Sequence, residues 1–265
     1  MKLGFIGAGN MGGAIIRGYI ASGSSPDGIA AYDAFESKLD ELVSSLGIRK
    51  MGSIGELVDA CDVVIMAVKP GNFEEVLPLA AERLKKEQVV VSMAAGVSIG
   101  FMEAYLGVSA KIVRIMPNTP AMVGESMTAV SRNKNVTSEE FEAVMSIFKS
   151  IGLAAPVDES LMDVVTGLSG SSPAYVYMFI DALTKGAVKN GMDETEARTF
   201  AAQAVLGAAR MVMVTGTEPA TLRENVCSPG GTTIEAVETL RRNGFEESVI
   251  EGMQAAIEKS KILTK

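Results

Sequence analysis

The chain opens with a short apolar run, Lys2-Leu3-Gly4-Phe5-Ile6, that passes directly into Gly7-Ala8-Gly9-Asn10-Met11-Gly12 and then into helical spacing of Ala14, Ile15, Ile16, Tyr19 and Ile20. Few segments of this length restrict a fold as much. G-x-G-x-x-G between a strand and a helix puts Gly7 in the tight turn, Gly9 where a pyrophosphate must approach the backbone, and Gly12 where the helix packs on the strand. The helix N-terminus then faces the phosphate charge. A second strand pattern, Gly28-Ile29-Ala30-Ala31-Tyr32, ends at Asp33, about twenty residues past the last glycine. An acid there accepts hydrogen bonds from the adenosine ribose and repels a 2′-phosphate. The expected coenzyme is NADH or NADPH, with NADH favoured by Asp33.

The alternation of strands and helices continues. Ser53-Ile54-Gly55-Glu56 reads as a capping box opening a short helix. Asp62 to Val68 is a continuous apolar strand suited to the middle of a parallel sheet, ending at Lys69-Pro70-Gly71. Ligands of such sheets meet the C-terminal strand ends, which draws Lys69 and the backbone around it toward the coenzyme. A helix is predicted over 73–85, then a strand Val89 to Met93 that ends in Ala94-Ala95-Gly96, small enough to leave room for a nicotinamide ring. Lys111 to Met116 is a further strand, broken by Pro117-Asn118-Thr119-Pro120, where Asn118 can both donate and accept and is a candidate substrate contact. Elements near 127–130, 139–150 and 153–157 complete a doubly wound sheet.

From about Leu161 the strand signals stop. Ser169-Gly170-Ser171-Ser172-Pro173 reads as a turn in which Ser172 caps and Pro173 takes the first helical position. Two helices, about 174–189 and 195–215, are apolar around most of their circumference, and one small helical half cannot cover them, so a second copy of the chain is expected to. A short helix near Pro219 to Val226 leads to Cys227-Ser228-Pro229-Gly230-Gly231-Thr232-Thr233, and further helices follow from about Ile234 and Phe245. Glycines, hydroxyls and a helix start together suit an anion; a capped helix start with a Pro-Gly turn is the plainer alternative. The fold class is thus α/β, with a Rossmann-type dinucleotide-binding domain over 1–158 and a helical dimerisation and substrate-binding domain over 159–265.

Composition removes several classes of function. Charges of 24 basic against 32 acidic residues give −8 without a basic run, which excludes a nucleic-acid or anionic-membrane surface. Although 48% of residues are hydrophobic, none of the apolar stretches reaches the roughly 18 uninterrupted residues of a membrane span. The first strand begins almost at Met1, which leaves no room for a signal peptide and points to the cytoplasm. Cys61 and Cys227 lack metal-ligand spacing and are expected as free thiols. No histidine occurs anywhere, so an imidazole general base, Ser-His and Cys-His nucleophiles and nearly all zinc sites are excluded.

Taken in order, Gly7 to Gly12, Ala67-Val68-Lys69-Pro70, Met93-Ala94-Ala95-Gly96, Met116 to Pro120, Ser169 to Tyr175 and Ser228 to Thr233 closely resemble the pyrroline-5-carboxylate reductase family over essentially the whole chain. The resemblance implies NAD(P)H-dependent reduction of 1-pyrroline-5-carboxylate to L-proline, a dimer that often assembles further, commonly into decamers, and a substrate held where the two kinds of domain meet. Coenzyme contacts carry over to Gly7, Ala8, Gly9, Asn10, Met11 and Gly12, to Ala67, Val68, Lys69 and Pro70, and to Met93, Ala94 and Ala95. Substrate contacts carry over to Ser228, Gly230, Gly231, Thr232 and Thr233, with Glu159 and Asn225 at matching positions. Some members carry an Asn near position 54 that approaches the adenosine; this chain has Ser53-Ile54, which puts that contact in doubt.

Absence of histidine agrees with such a substrate. Reduction of a ketone creates an alkoxide that must be protonated, whereas a protonated cyclic imine accepts hydride to give a neutral amine. Positioning then carries most of the catalysis. The carboxylate is assigned to the amides of Gly230, Gly231 and Thr232 with the Ser228 hydroxyl, Thr233 to the carboxylate or ring nitrogen as the catalytic contact, and Glu159 to the cationic iminium. No metal is expected. Two rivals stand beside this reading: a β-hydroxyacid dehydrogenase, whose catalytic Lys has no counterpart between Gly170 and Thr184, and a non-catalytic dinucleotide sensor, which has no use for Ser228 to Thr233.

Overall fold

In the computed structural model, which describes residues 1–264, strands and helices alternate through the first half of the chain. They are β1 (Leu3–Ile6), α1 (Asn10–Ala21), β2 (Ile29–Tyr32), α2 (Glu36–Leu46), β3 (Arg49–Lys50), α3 (Ile54–Ala60), β4 (Val63–Met66), α4 (Phe73–Ala81), β5 (Val89–Ser92), α5 (Ile99–Leu106), β6 (Lys111–Met116), β7 (Ser126–Arg132), α6 (Ser138–Lys149) and β8 (Gly152–Pro156). The strands make one sheet in the order β3-β2-β1-β4-β5-β6-β7-β8, in which β6 and β7 alone pair antiparallel. Strand order reverses between β1 and β4, so a crevice opens outside their carboxyl ends.

Period-two alternation divides the strand side chains between two apolar layers. Leu3, Phe5, Ile65, Val91 and Val113 pack with Ile15, Ile16, Leu39 and Phe148 of α1, α2 and α6. On the opposite face, Ile6, Met66, Val90 and Ile112 pack with Leu57, Phe73, Leu77 and Met102 of α3, α4 and α5. β1, β4 and β5 are buried along their whole length, which is why they read as uninterrupted apolar runs. Cys61 lies in this core, where burial pushes its thiol up to about 11 and leaves it unreactive.

Local chemistry departs from the sequence expectation at three helix ends. Ser53 caps α3 by accepting from the Glu56 amide, but the Glu56 carboxylate reaches past Ser53 to the Gly52 amide at 2.9 Å, so the capping box is offset by one residue. α4 stops at Ala81 rather than near 85, three residues after an internal Pro78, with Glu82 and Arg83 turning back onto the Pro78 and Ala80 carbonyls. Ser169 to Ser171 do not form a free turn. A short helix α7 (Met162–Val165) continues into a π-helical turn at Thr166–Gly170, closed by the Ser171 amide on the Thr166 carbonyl at 2.8 Å, and then into α8 (Ser172–Lys189). Ser172 is therefore the first residue of the helix and not a detached cap.

The chain forms two compact units: Met1–Ser171 with the stretch from Ala255 onward, and Ser172–Gln254. Residues 159–171, which the sequence reading groups with the helical half, lie with the sheet by contact. Met162 is fully buried against Met116 and Ala129, and Glu159 bonds to α5 and β6. The second unit holds α8, α9 (Glu194–Thr215), α10 (Pro219–Val226), α11 (Thr232–Arg242) and the first part of α12 (Phe245–Leu263). Asp193 caps α9 through the amides of Thr195 and Glu196. Across α8 and α9 only Thr184, Ala197 and Ala201 are buried, while Met178, Phe200, Met213 and Val214 are all more than 60% exposed. An apolar groove of about 710 Å³ runs along this unit between Phe179, Leu183, Val205, Ala209 and Leu222. Helices so greasy and so bare need cover that their own unit does not supply. Among the described residues, no helix is long and apolar enough to cross a membrane.

Candidate active site

Four strand ends converge at the crevice. The Gly7 amide donates to the Tyr32 carbonyl at the end of β2, the Ala67 amide to the Ile6 carbonyl at the end of β1, and the Met93 amide to the Met66 carbonyl at the end of β4. These bonds bring Gly7 to Gly12, Asp33, Ala67 to Pro70 and Met93 to Ala95 into one neighbourhood. Each glycine has its own reason. At Gly7 (φ +105°) a Cβ would lie 2.8 Å from the Ala67 carbonyl, and at Gly12 one would lie 2.6 Å from the Gly7 carbonyl oxygen, so both close the loop onto its neighbours. A Cβ at Gly9 would meet nothing within 4 Å; that residue keeps the approach to the helix clear.

α1 begins at this clear face. Gly9 caps it in extended backbone without a side-chain hydrogen bond, and its first turn carries no acid. The first amides of the helix thus retain their capacity for an anion, and the residues present fit a dinucleotide pyrophosphate. Asp33 does more than the spacing predicts: its carboxylate accepts the Ala8 amide at 2.6 Å and the Phe35 amide at 2.8 Å, fixing the glycine loop against the end of β2. Lys69 is exposed in the turn after β4, with no ion pair among the described residues.

Two residues expected at the substrate already have partners within the protein. The Asn118 side chain is buried, donates to the Ser169 carbonyl at 3.0 Å, and accepts from the Ser126 hydroxyl at 3.1 Å and the Met127 amide at 3.0 Å. Its oxygen is saturated, and one amide hydrogen is left. Glu159, expected beside a cationic iminium, accepts the Ile99 amide at 2.7 Å and pairs with the Arg114 guanidinium at 3.2 Å. Its negative charge already has a counter-ion. Arg114 is the residue that the sequence reading passed over: 3% exposed in β6, with two guanidinium nitrogens lacking a hydrogen-bond partner among the described residues. The signal was present as a charge inside the apolar run Lys111 to Met116, because a buried charge demands a partner.

The second group of candidates forms its own cluster in the helical unit. Asn225 is exposed in the last turn of α10, and the chain then turns sharply through Ser228, Pro229 and Gly230 (φ +69°) into α11. Gly231 caps α11 in extended backbone, and no hydroxyl side chain caps it, which sets aside the plainer reading of a Ser- or Thr-capped helix start. The Gly231 amide turns inward to the Ser228 carbonyl at 3.0 Å, so it is not available as expected; among the described residues, the amides of Gly230, Thr232 and Thr233 have no backbone acceptor. Glu235 in the first turn of α11 weakens the local positive potential without removing these donors. Among the described residues, no cluster of His, Cys, Asp and Glu is placed to hold a metal ion.

Comparison with known proteins covers both units. Residues 159–263 match the family model described as pyrroline-5-carboxylate reductase dimerisation, and residues 2–96 match that of NADP oxidoreductase, coenzyme F420-dependent. A pyrroline-5-carboxylate reductase of Escherichia coli (strain K12) is 47% identical over 265 residues, covering all of this chain and 98% of that protein. A solved pyrroline-5-carboxylate reductase from Coxiella burnetii superposes with a TM-score of 0.94 at 34% identity, over 100% of this chain and 98% of that one. The Plasmodium falciparum pyrroline carboxylate reductase, solved with NADP bound, gives 0.91 at 34% identity over the same shares. With both units matched and nearly half the residues shared along the full length, this chain belongs to the pyrroline-5-carboxylate reductase family.

Proposed function

We infer that this protein is an NAD(P)H-dependent oxidoreductase that reduces 1-pyrroline-5-carboxylate to L-proline, the closing step of proline biosynthesis. The observation that supports it best is the pairing of an open, acid-free helix start behind Gly9 with a second donor-rich helix start behind Gly231 in a chain without histidine. When bound, the coenzyme supplies the hydride. The chain's own residues then bind, orient and exclude water. The amides of Gly230, Thr232 and Thr233 and the Ser228 hydroxyl anchor the substrate carboxylate, with Asn225 and Gly231 shaping the turn. Thr233 contacts the carboxylate or the ring nitrogen. The imine nitrogen arrives protonated, and addition of hydride to its carbon leaves a neutral secondary amine. No alkoxide forms and no imidazole is needed. Asn118 and Glu159 act by holding the turns after β6 and before α5.

Thr233→Ala tests the anchor. It should lower kcat/KM for pyrroline-5-carboxylate by about tenfold, the worth of one lost hydrogen bond to a charged group, and leave the coenzyme Kd unchanged. An unaltered kcat/KM removes Thr233 from the site.

Coenzyme contacts are assigned to Gly7 to Gly12, to Ala67 through Pro70, and to Met93, Ala94 and Ala95. Asp33 can accept a ribose hydroxyl on the lone pairs left by the Ala8 and Phe35 amides, and it disfavours a 2′-phosphate. Nearby Lys50 is tied to Glu36 and Asp40 at 3.2 and 2.7 Å, so it does not offset that charge. NADH should therefore give the higher kcat/KM, although the Plasmodium relative binds NADP; a clear NADPH preference overturns this assignment of Asp33.

The exposed apolar helices of the second unit support a homodimer, and the family resemblance supports further assembly of dimers, with a decamer as one option. Light scattering should find no active monomer, and a stable active monomer refutes the shared helical face. A cytoplasmic location suits an enzyme fed by metabolite and coenzyme pools of that compartment.

A further inference from the structure

We propose that the C-terminal turn of α12 buttresses the Met93–Gly96 loop, and that Asp163, Ser260 and Thr264 are positioning residues for hydride transfer. This rests on the reading of that loop as the nicotinamide contact. The loop is held from behind by backbone. Gly96 is buried with φ +74°, and a Cβ there would lie 2.6 Å from the Leu263 carbonyl oxygen and 2.9 Å from its carbonyl carbon. No other side chain fits between loop and helix end. Helix ends ordinarily fray; this one is tied to Asp163. The Ser260 hydroxyl, 4% exposed, donates to the Asp163 carboxylate at 2.6 Å, and the Thr264 hydroxyl shares its one proton between the Ser260 carbonyl at 3.0 Å and the same Asp163 oxygen at 3.2 Å.

Asp163 is well placed to transmit this tie. It follows Met162, which is fully buried in the small apolar patch against which Ala95 packs. Ala95 and Gly96 also share a cavity of about 260 Å³ with Thr166, Ser171, Ala256 and Ser260, so the loop has free volume on this side. Without the tie, that volume lets the loop retreat from the crevice. Coenzyme affinity, set largely by the glycine loop at the other end of the dinucleotide, should survive such a retreat. The distance from hydride donor to acceptor should not.

The test uses the full chain and three variants: Asp163→Ala, the double variant Ser260→Ala/Thr264→Ala, and Asp163→Asn, whose amide oxygen still accepts both hydroxyls. Hydrogen exchange at amides 94–97, measured without coenzyme, should quicken in the first two while α1 stays protected. Their NAD(P)H Kd should change little, and kcat should fall about 10- to 100-fold, as expected of a reacting group displaced by a fraction of an ångström to 1 Å. Asp163→Asn should recover most of the rate. If Asp163→Ala fails to fold, the double variant decides between the outcomes. Faster exchange with unchanged kcat, or protection lost equally throughout the fold, overturns the proposal. Ala95→Leu separates the two layers: if it leaves coenzyme Kd and kcat untouched, the nicotinamide reading of the loop has failed, whereas if it impairs them and the latch variants do not, the buttress alone has failed.

Discussion

Gly9→Val should raise the NAD(P)H Kd by about 100-fold or more while the protein remains as well folded as before. Two facts separate the functional from the structural effect. The backbone at Gly9 has φ −68° and ψ −170°, a conformation open to any residue, and a Cβ there would meet nothing within 4 Å outside its chain neighbours. The stability change should therefore stay at about 1 kcal/mol or less, the size of a helix-cap preference. A valine would instead occupy the path by which a pyrophosphate reaches the α1 amides, and losing two hydrogen bonds to a charged group costs about 3–6 kcal/mol. Titration of intrinsic or coenzyme fluorescence, alongside a thermal melt, reads both quantities. Unchanged affinity would move the coenzyme away from this helix. Gly12→Val offers the contrast: its Cβ would lie 2.6 Å from the Gly7 carbonyl oxygen, so it should lose stability as well as binding.

Arg114→Ala should destabilise the fold by about 3 kcal/mol, because it leaves Glu159 without its counter-ion and opens a hole in β6. Arg114→Met fills the hole, and since two of the guanidinium nitrogens have no hydrogen-bond partner among the described residues, their loss costs nothing in hydrogen bonds. The double variant Arg114→Met/Glu159→Gln, in which no unpaired charge remains, should be more stable than either single variant. Denaturant titration checks the order. A wild-type midpoint for Arg114→Ala would show that the pair contributes nothing to stability.

What the chain discloses in advance follows from how local each cause is. The glycine loop, its flanking strand and helix, and Asp33 lie within one strand-helix-strand unit, so their places follow from spacing and backbone sterics, whereas the bonds from the Ala8 and Phe35 amides to Asp33 do not. The doubly wound sheet follows from the same repeated unit, but not the antiparallel insertion of β7. By contrast, β3 has two residues, both exposed, and no periodicity to announce it. Asn118 and Glu159 were legible as polar residues near a site, but what they bond to was not, because Ser169 and Arg114 reach them from distant segments. Asp163 and Ser260 lie 97 residues apart, beyond the reach of any pattern in sequence. The hydroxyls of Ser228 and Thr233 were legible as near a helix start, yet the inward turn of the Gly231 amide depends on φ +69° at Gly230, a torsion that composition only permits.

The central claim is the reaction itself. Purified protein should oxidise NADH or NADPH when given pyrroline-5-carboxylate, form one L-proline for each coenzyme consumed, and do neither when the imine is withheld. Oxidation without the imine, turnover of a hydroxy acid with NAD, or coenzyme binding with no reduction of pyrroline-5-carboxylate would contradict it.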